Sequence, residues 1–424
     1  MTFRFYTLGC KLNFAESSHL ARQLSGMGYT SAKNGEVPDI CIVNTCTVTD
    51  HADKKARQLI HKLHKTYPGA RIIATGCYAQ LKPDEILSLD GVDTVLGAND
   101  KFMLPDIIGN AVPENGFTNV SATSLQSPFY PAWSGDDRTR HFLKIQDGCD
   151  YFCSYCAIPF ARGRSRSAYI EDVAEAARKI AGNGGKEIIL TGVNIGDFGK
   201  RTGEKIEDLV KTLDNIPGIE RIRISSIEPD LLSDDLVRYI AESKKFAPHF
   251  HLPLQSGSDG CLKLMRRRYT ASLFASKVEL IKSLMPDAFI GVDVIVGTRG
   301  ETPEFFRESY EFVERLPVSR LHVFAYSQRA GTAALRISPA VPPKEKKSRS
   351  EAMLALSDKK LAGFTASQIG SRRKVLWEAK NDGGVMYGFT ENYLKVHRPF
   401  DEARINTIEE ITVTDNNLSK NDEE

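Results

Sequence analysis

The stretch Gln146-Asp-Gly-Cys149-Asp-Tyr-Phe-Cys153-Ser-Tyr-Cys156 sets three cysteines in a C-x3-C-x2-C run. It follows the apolar segment His141 to Gln146, a candidate strand, so the cysteines fall in the loop at that strand's carboxyl end. Thiolates are soft ligands suited to zinc or to iron–sulfur clusters, and both want about four ligands. Three local cysteines leave one position open. Structural zinc would close it with a fourth Cys or a His, and no His lies between Gln146 and Phe246. An iron–sulfur cluster with one open iron would instead hold a substrate or cofactor. Three metal-free core thiols are the poorer reading, because the loop is polar and Gly-flanked.

Outward from that loop, candidate strands recur at His141 to Gln146, Glu187 to Val193, Arg221 to Ser226, His249 to Leu254, Phe289 to Val296 and Arg320 to Tyr326. Helical stretches such as Glu171 to Ile180 and Thr302 to Leu316 separate them, the latter with Thr302 as N-cap and Pro303 at N1. Six βα units predict a partial, open barrel whose ligands bind at the carboxyl ends of its strands.

Upstream, strands Phe3 to Thr7, Ile40 to Val43 and Arg71 to Ala74 alternate with amphipathic stretches near Glu16 to Met27 and Lys54 to Tyr67, which predicts a second parallel sheet. Cys10, Cys46 and Cys77 each follow one of these strands, and a parallel sheet puts all its carboxyl ends on one edge. The three are therefore expected to converge although 36 and 31 positions separate them. Cys41 lies inside an apolar strand and Cys261 at a helix start, and both read as structural. The fold class is α/β with four segments: an α/β domain over 1–112, a Pro/Ser/Gly-rich linker over 113–137, the barrel over 138–367 including a charged helix from about Pro343 to Gln368, and a small β-barrel over 368–424. The last residues, Asp415 to Glu424, read as a solvated tail.

The whole chain has 424 residues, 41% hydrophobic and 26% charged, as a folded globular protein does. No run approaches the roughly 18 apolar residues that span a bilayer, and the N-terminus shows no signal-peptide pattern, so a cytoplasmic location without membrane attachment is expected. In that reducing compartment eight cysteines point to metal or redox chemistry rather than disulfides. A net charge of +2 does not announce a nucleic-acid binder, so any anionic partner must be read by local patches. Arg162, Arg164 and Arg166 beside the cysteine loop form one such patch. Arg266 to Arg268 read as a solvated face, and Arg372, Arg373 and Lys374 open the final β segment.

These residues resemble a known family. The cysteine loop on a partial barrel is similar to the radical S-adenosylmethionine (SAM) superfamily, and the post-strand cysteines with a small C-terminal β-barrel resemble its methylthiotransferases. The carriers are Thr7-Leu-Gly-Cys-Lys-Leu-Asn13, Val43-Asn-Thr-Cys46-Thr-Val, Ala74-Thr-Gly-Cys77, Gln146 to Gly163 and His251-Leu-Pro-Leu-Gln-Ser-Gly257. Gln-Asp-Gly-Cys and Ala-Arg-Gly-Arg-Ser-Arg resemble the branch acting on threonylcarbamoyladenosine in tRNA. Two departures stand out: Gly297-Thr-Arg-Gly-Glu301, where the family has Gly-Phe-Pro-Gly-Glu, and Phe324-Ala-Tyr-Ser, where it has Phe-Pro-Tyr-Ser.

The resemblance implies two [4Fe–4S] clusters, on Cys149, Cys153 and Cys156 and on Cys10, Cys46 and Cys77, with SAM on the open iron of the first. It implies radical methylthiolation at C2 of the modified adenosine at position 37 of tRNA, fed by an electron donor such as a flavodoxin or ferredoxin. Tyr155, Thr191, Glu228 and Gln255 are the candidate SAM contacts. The final segment resembles the tRNA-binding TRAM barrel, with Trp377, Tyr387 or Phe389 as stacking surfaces. The alternatives are methylthiolation of isopentenyladenosine or of a ribosomal-protein aspartate, and, from another class, a zinc-stabilised RNA-binding protein without catalysis.

Overall fold

The computed structural model describes residues 1–33, 35–109, 116–124, 127–135 and 139–419. The first unit is a six-stranded parallel sheet of β1 (Thr2–Thr7), β2 (Thr30–Ser31), β3 (Ile40–Thr45), β4 (Arg71–Gly76), β5 (Val92–Leu96) and β6 (Phe117–Asn119), in the order β2-β1-β3-β4-β5-β6. Every residue of β3 is buried, as a central strand covered on both faces requires. Helices α1 (Lys11–Gly26) and α2 (Asp50–Thr66) are the first crossovers, and Thr49 caps α2 by accepting from the Ala52 N–H at 3.2 Å.

Composition marks 113–137 as a linker, yet its described residues carry two strands. β6 extends the first sheet, and β7 (Ala132–Trp133) pairs antiparallel with the barrel's first strand, β8 (Arg140–Lys144). The expected boundaries at 112 and 137 lie outside the described residues.

The barrel continues through the short pair β9 (Gln146–Asp147) and β10 (Arg166–Ser167) to β11 (Glu187–Thr191), β12 (Arg221–Ile224), β13 (His249–Gln255), β14 (Phe289–Val296) and β15 (Arg320–Ala325). The six main strands run parallel, β8-β11-β12 and β13-β14-β15, and single bridges Ile222 to Phe246 and Ser226 to His251 join the two halves. Alternate residues face outward, such as Leu143, Ile188, Ile222, Leu252, Val292 and Leu321, and pack under the helices in one core. The helix over Pro303–Arg315 has Thr302 as N-cap and Pro303 in its first turn.

Six strands do not close a barrel. The gap is covered by α1, which packs on β7 and β8; Phe14 and Ala15 join Ala132, Phe142 and Ile189 in a small cluster. The final β16 (Arg372–Trp377), β17 (Val385–Thr390), β18 (Lys395–Pro399) and β19 (Ile408–Thr412) form an antiparallel sheet in the order β18-β17-β16-β19. It docks at the starts of the barrel strands. Buried Glu187 pairs with Arg221 at 2.5 Å and Arg223 at 2.8 Å. Those arginines donate onward to the Lys374, Phe389, Thr390 and Glu391 carbonyls.

The terminal stretch is not a free tail as far as it is described. Leu418 bridges to Val396 and packs on the β16–β19 core, because an apolar side chain covers surface that the open edge leaves bare. Residues 420–424 lie outside the described residues. No described helix is long and apolar enough to cross a membrane.

Candidate active site

The carboxyl edges of the two parallel sheets face one another across a cavity of about 380 Å³. Cys10, Cys46 and Cys77 line it from one side and Cys149, Cys153 and Cys156 from the other. Cys41 and Cys261 stay buried in the cores, away from it. A larger cavity of about 600 Å³ lies at the opposite end of the barrel, between β8 and Glu378, and holds no cysteine; the sulfur chemistry belongs to the smaller one.

Local sequence forces this convergence. Gly9 has φ +93°, and a Cβ there would stand 2.4 Å from the Cys46 Cβ, so only glycine lets the first and second post-strand turns touch. Gly148, at φ +71°, would place a Cβ 2.1 Å from the Arg164 carbonyl oxygen. The Gln146 amide ties the cysteine loop to its surroundings. It donates to the Asp147 and Gly148 carbonyls and to Ser165 Oγ, while its oxygen accepts from the Val193 and Asn194 N–H groups.

Burial and neighbouring sulfurs push Cys46 and Cys156 up to about 12, and burial does the same to Cys149. Thiols in this state ionise together only against a positive centre, which is the condition a metal cluster satisfies. The donor set therefore fits the implied clusters: two groups of three thiols, each short of the usual four ligands.

Behind the N-terminal triad lies a buried charge cluster. Glu16 pairs with Lys101 at 2.5 Å, Lys144 at 2.7 Å and Arg162 at 3.1 Å; Asp147 pairs with Lys144 at 2.8 Å, Arg162 at 3.0 Å and Arg166 at 3.1 Å. Desolvation acts to raise the Glu16 carboxyl, but Arg162, Lys101 and Lys144 outweigh it and hold it well below the usual range. Four cations face two carboxylates, and Arg162 Nε donates to Cys77 Sγ at 3.2 Å. Arg162 thus opposes the burial that pushes the Cys77 thiol up.

Of the expected SAM contacts, Tyr155, Glu228 and Gln255 line the cavity. Gln255 sits at a register shift in β13 with φ +66°, and its buried Oε1 has no partner, an orphaned acceptor at the cavity wall. Burial raises the Glu228 carboxyl to about 7 against the opposing pull of Arg267. Thr191 does not line the cavity: its hydroxyl donates to the Ile189 carbonyl at 3.1 Å, so it serves its own strand.

The arginine patch is corrected by burial. Arg162 is spent on Glu16, Asp147, Asn13 and Cys77, and Arg166 on Asp147, Asn99 and three backbone carbonyls. Both hold the two domains together and leave no donor for RNA. Arg164 alone stays half exposed, over the Phe152 ring at 4.4 Å. Arg267 is not on a solvated face: its side chain is buried against the cavity, donates to Cys153 Sγ at 3.1 Å and pairs with Glu228. Trp377 and Phe389 are buried in the final sheet, which leaves Tyr387 as the half-exposed aromatic of the three. The segment Gly297 to Glu301 is anchored by Glu301, which accepts from the Gly297 N–H at 2.6 Å and pairs with Arg349 at 2.6 Å.

Sequence reasoning missed Glu16, Asn13, Lys101 and Lys144. Its available signal was the polar pair Asn13 and Glu16 on the otherwise apolar stripe of α1.

A parallel α/β domain and a partial barrel presenting two cysteine triads to one cavity define a radical SAM protein. Residues 143–313 match the radical SAM superfamily, and residues 2–97 match a family described as uncharacterized protein family UPF0004. The chain is 38% identical over 407 residues to the threonylcarbamoyladenosine tRNA methylthiotransferase of Bacillus subtilis, covering 93% of this chain and 90% of that one. It is 39% identical over 397 residues to the same-named protein of Thermotoga maritima, with the same coverage of each chain. It is also 34% identical to a tRNA-2-methylthio-N(6)-dimethylallyladenosine synthase of Pelotomaculum thermopropionicum, over 97% of this chain and 95% of the other. The chain belongs to the radical SAM methylthiotransferase family. In fold it is similar to the radical SAM methyltransferase TsrM of Kitasatospora setae, with a TM-score of 0.56 at 14% identity over 76% of this chain and 74% of that one.

Proposed function

We propose that this protein methylthiolates C2 of N6-threonylcarbamoyladenosine at position 37 of tRNA, with one [4Fe–4S] cluster on each cysteine triad and SAM at the barrel cluster. The observation that carries this reading is that both triads open into a single cavity. When bound, the clusters and SAM supply a hydrogen-abstracting radical and a sulfur donor within reach of one substrate base.

The chain's own residues bind, orient and exclude water. Cys149, Cys153 and Cys156 leave one ligand position for SAM. Tyr155, between two of them, offers a ring for its adenine, and the free Gln255 Oε1 offers an acceptor for its amino group. Arg162 orients Cys77 from behind, and Arg267 does the same for Cys153. The N-terminal domain covers the barrel mouth on two sides. One is the Glu16 cluster; on the other Arg329 pairs with Asp50 at 3.1 Å and Asp53 at 2.7 Å. Half-exposed Arg164 and Tyr387 are available to meet tRNA, and a low-potential one-electron donor completes the partner set.

The test is iron and nucleoside analysis. Replacing either triad by alanine is expected to halve the iron of anaerobically reconstituted protein, whereas Cys41→Ala and Cys261→Ala keep it. Wild-type protein converts threonylcarbamoyladenosine tRNA to its methylthio form, seen by mass spectrometry of digested nucleosides. Full iron in a triad variant, or product only from isopentenyladenosine tRNA, overturns the reading.

A further inference from the structure

Two apolar side chains on the wall of the two-triad cavity are left open. Val48, two residues after Cys46, is 54% exposed, and Phe324, next to last in β15, is 39% exposed; both line the cavity. Of the exposed large apolar side chains among the described residues, these are the two that line it. Neither joins a hydrophobic core among those residues. Open apolar surface in a concave site marks a place for a ligand, because only an occupant removes it from water.

The two belong to different domains yet flank one seam. The Asp50 N–H donates to Ser327 Oγ at 3.0 Å, and Arg329 pairs with Asp50 and Asp53, which sets the loop after β3 against the end of β15. Val48 stands two residues before Asp50 and Phe324 three before Ser327, and Ser327 is itself on the cavity wall. An aromatic ring of the barrel and an aliphatic group of the N-terminal domain therefore share one side of the cavity. Tyr326 lies beside them. It lines the cavity, it is only 5% exposed, and its buried hydroxyl has no hydrogen-bond partner. A buried hydroxyl in that state is costly unless a ligand pairs with it.

We propose that Phe324 and Val48 form the slot that takes the target base itself, with the adenine of position 37 turned out of the anticodon-loop stack, one face on the Phe324 ring and the other toward Val48, and its edge hydrogen-bonded by the Tyr326 hydroxyl. This rests on the function proposed above. An enzyme that reacts at a base atom has to extrude the base, and it holds the extruded ring between aromatic or apolar side chains while polar groups read its edge. The slot lies where the two domains meet, so a base held there is presented to both triads of the shared cavity. Tyr155, between two barrel cysteines, is left for the adenine of SAM, and the two purines do not compete for one ring.

The test uses anaerobically reconstituted holoenzyme and two anticodon stem-loops, one carrying threonylcarbamoyladenosine at position 37 and one abasic there, with affinity read by fluorescence anisotropy. Phe324→Ala is expected to weaken binding of the base-bearing loop by about 5- to 150-fold, the worth of one stacked base, and to leave the abasic loop at its wild-type affinity. Phe324→Trp keeps the wild-type affinity for both. Tyr326→Phe loses about 3- to 10-fold, again on the base-bearing loop alone. Iron per chain stays at the wild-type value in all three, because none of these side chains is a thiol of either triad. A Phe324→Ala protein that binds the base-bearing loop as wild type does, or that weakens both loops alike, overturns the slot, and an unchanged Tyr326→Phe protein removes the hydroxyl from it. A base-dependent loss at Phe324 in an enzyme that makes no product from the threonylcarbamoyladenosine loop keeps the slot and overturns the substrate assignment.

Discussion

Glu16→Gln is the sharpest perturbation available at the domain junction. Glu16 is fully buried and holds Lys101, Lys144 and Arg162 at 2.5, 2.7 and 3.1 Å. Lys144 and Arg162 keep Asp147, but Lys101 has no other carboxylate among its ion pairs, so the amide strands a buried ammonium. Removing one partner of a buried pair costs about 3–5 kcal/mol, against a total stability of about 5–15 kcal/mol for a typical protein. The loss should fall on the unfolding step of the N-terminal domain, read as its denaturant midpoint in anaerobic protein. Adding Lys101→Met removes the stranded charge, and the double variant should recover at least about 2 kcal/mol of the deficit. A single variant within about 1 kcal/mol of wild type, or a double variant no better than the single, would refute this account of the cluster.

Three further outcomes follow from the same geometry. Gln255→Ala should weaken SAM binding about 10-fold in calorimetry by removing an unpartnered acceptor on the cavity wall, whereas Thr191→Val should leave it unchanged. Burial raises the Glu187 carboxyl, but Arg221 and Arg223 outweigh it and set it at about 2, below its unfolded value of about 4.3. Its contribution is therefore complete above about pH 4.3 and fades toward about pH 2, so hydrogen exchange in β16–β19 should accelerate across that window, and Glu187→Gln should flatten the change. Arg164→Ala should lower tRNA affinity and reduce the salt slope by about 1, while Arg166→Ala should instead lower the unfolding midpoint, because its guanidinium is enclosed between Asp147 and Asn99.

The strands and the placement of the two triads were legible in the sequence because both rest on local pattern: apolar runs of four to eight residues, and cysteines placed just after them. The fate of the arginines was not. Arg162, Arg164 and Arg166 alternate as a solvated stripe does, and what separates them is contact of Arg162 with Glu16, 146 positions away, and of Arg166 with Asn99, 67 positions away. Trp377 offers the same lesson. An aromatic in a short β run reads equally as a stacking platform or as core, and the pairing of β16 between β17 and β19 turns it inward. Thr191 ends its strand as expected, but a threonine hydroxyl can always satisfy its own backbone, which no spacing rule reveals.

The arrangement of the domains explains why sulfur insertion needs this architecture. A six-stranded barrel is open along one side, and in this chain the wall that fills the opening is α1, the helix that begins one residue after Cys10. Closing the barrel and placing the N-terminal triad are therefore one event. The same helix carries Asn13 and Glu16 toward Arg162, so the proposed ligand Cys10 and the junction lock share one rigid element. A shift of α1 along its axis by one turn, about 5.4 Å, would move both together. Domain closure and cluster geometry are consequently coupled: substitutions in the buried face of α1 should lower iron content and the unfolding midpoint in parallel, whereas substitutions in the helices outside the barrel strands should leave iron content unchanged.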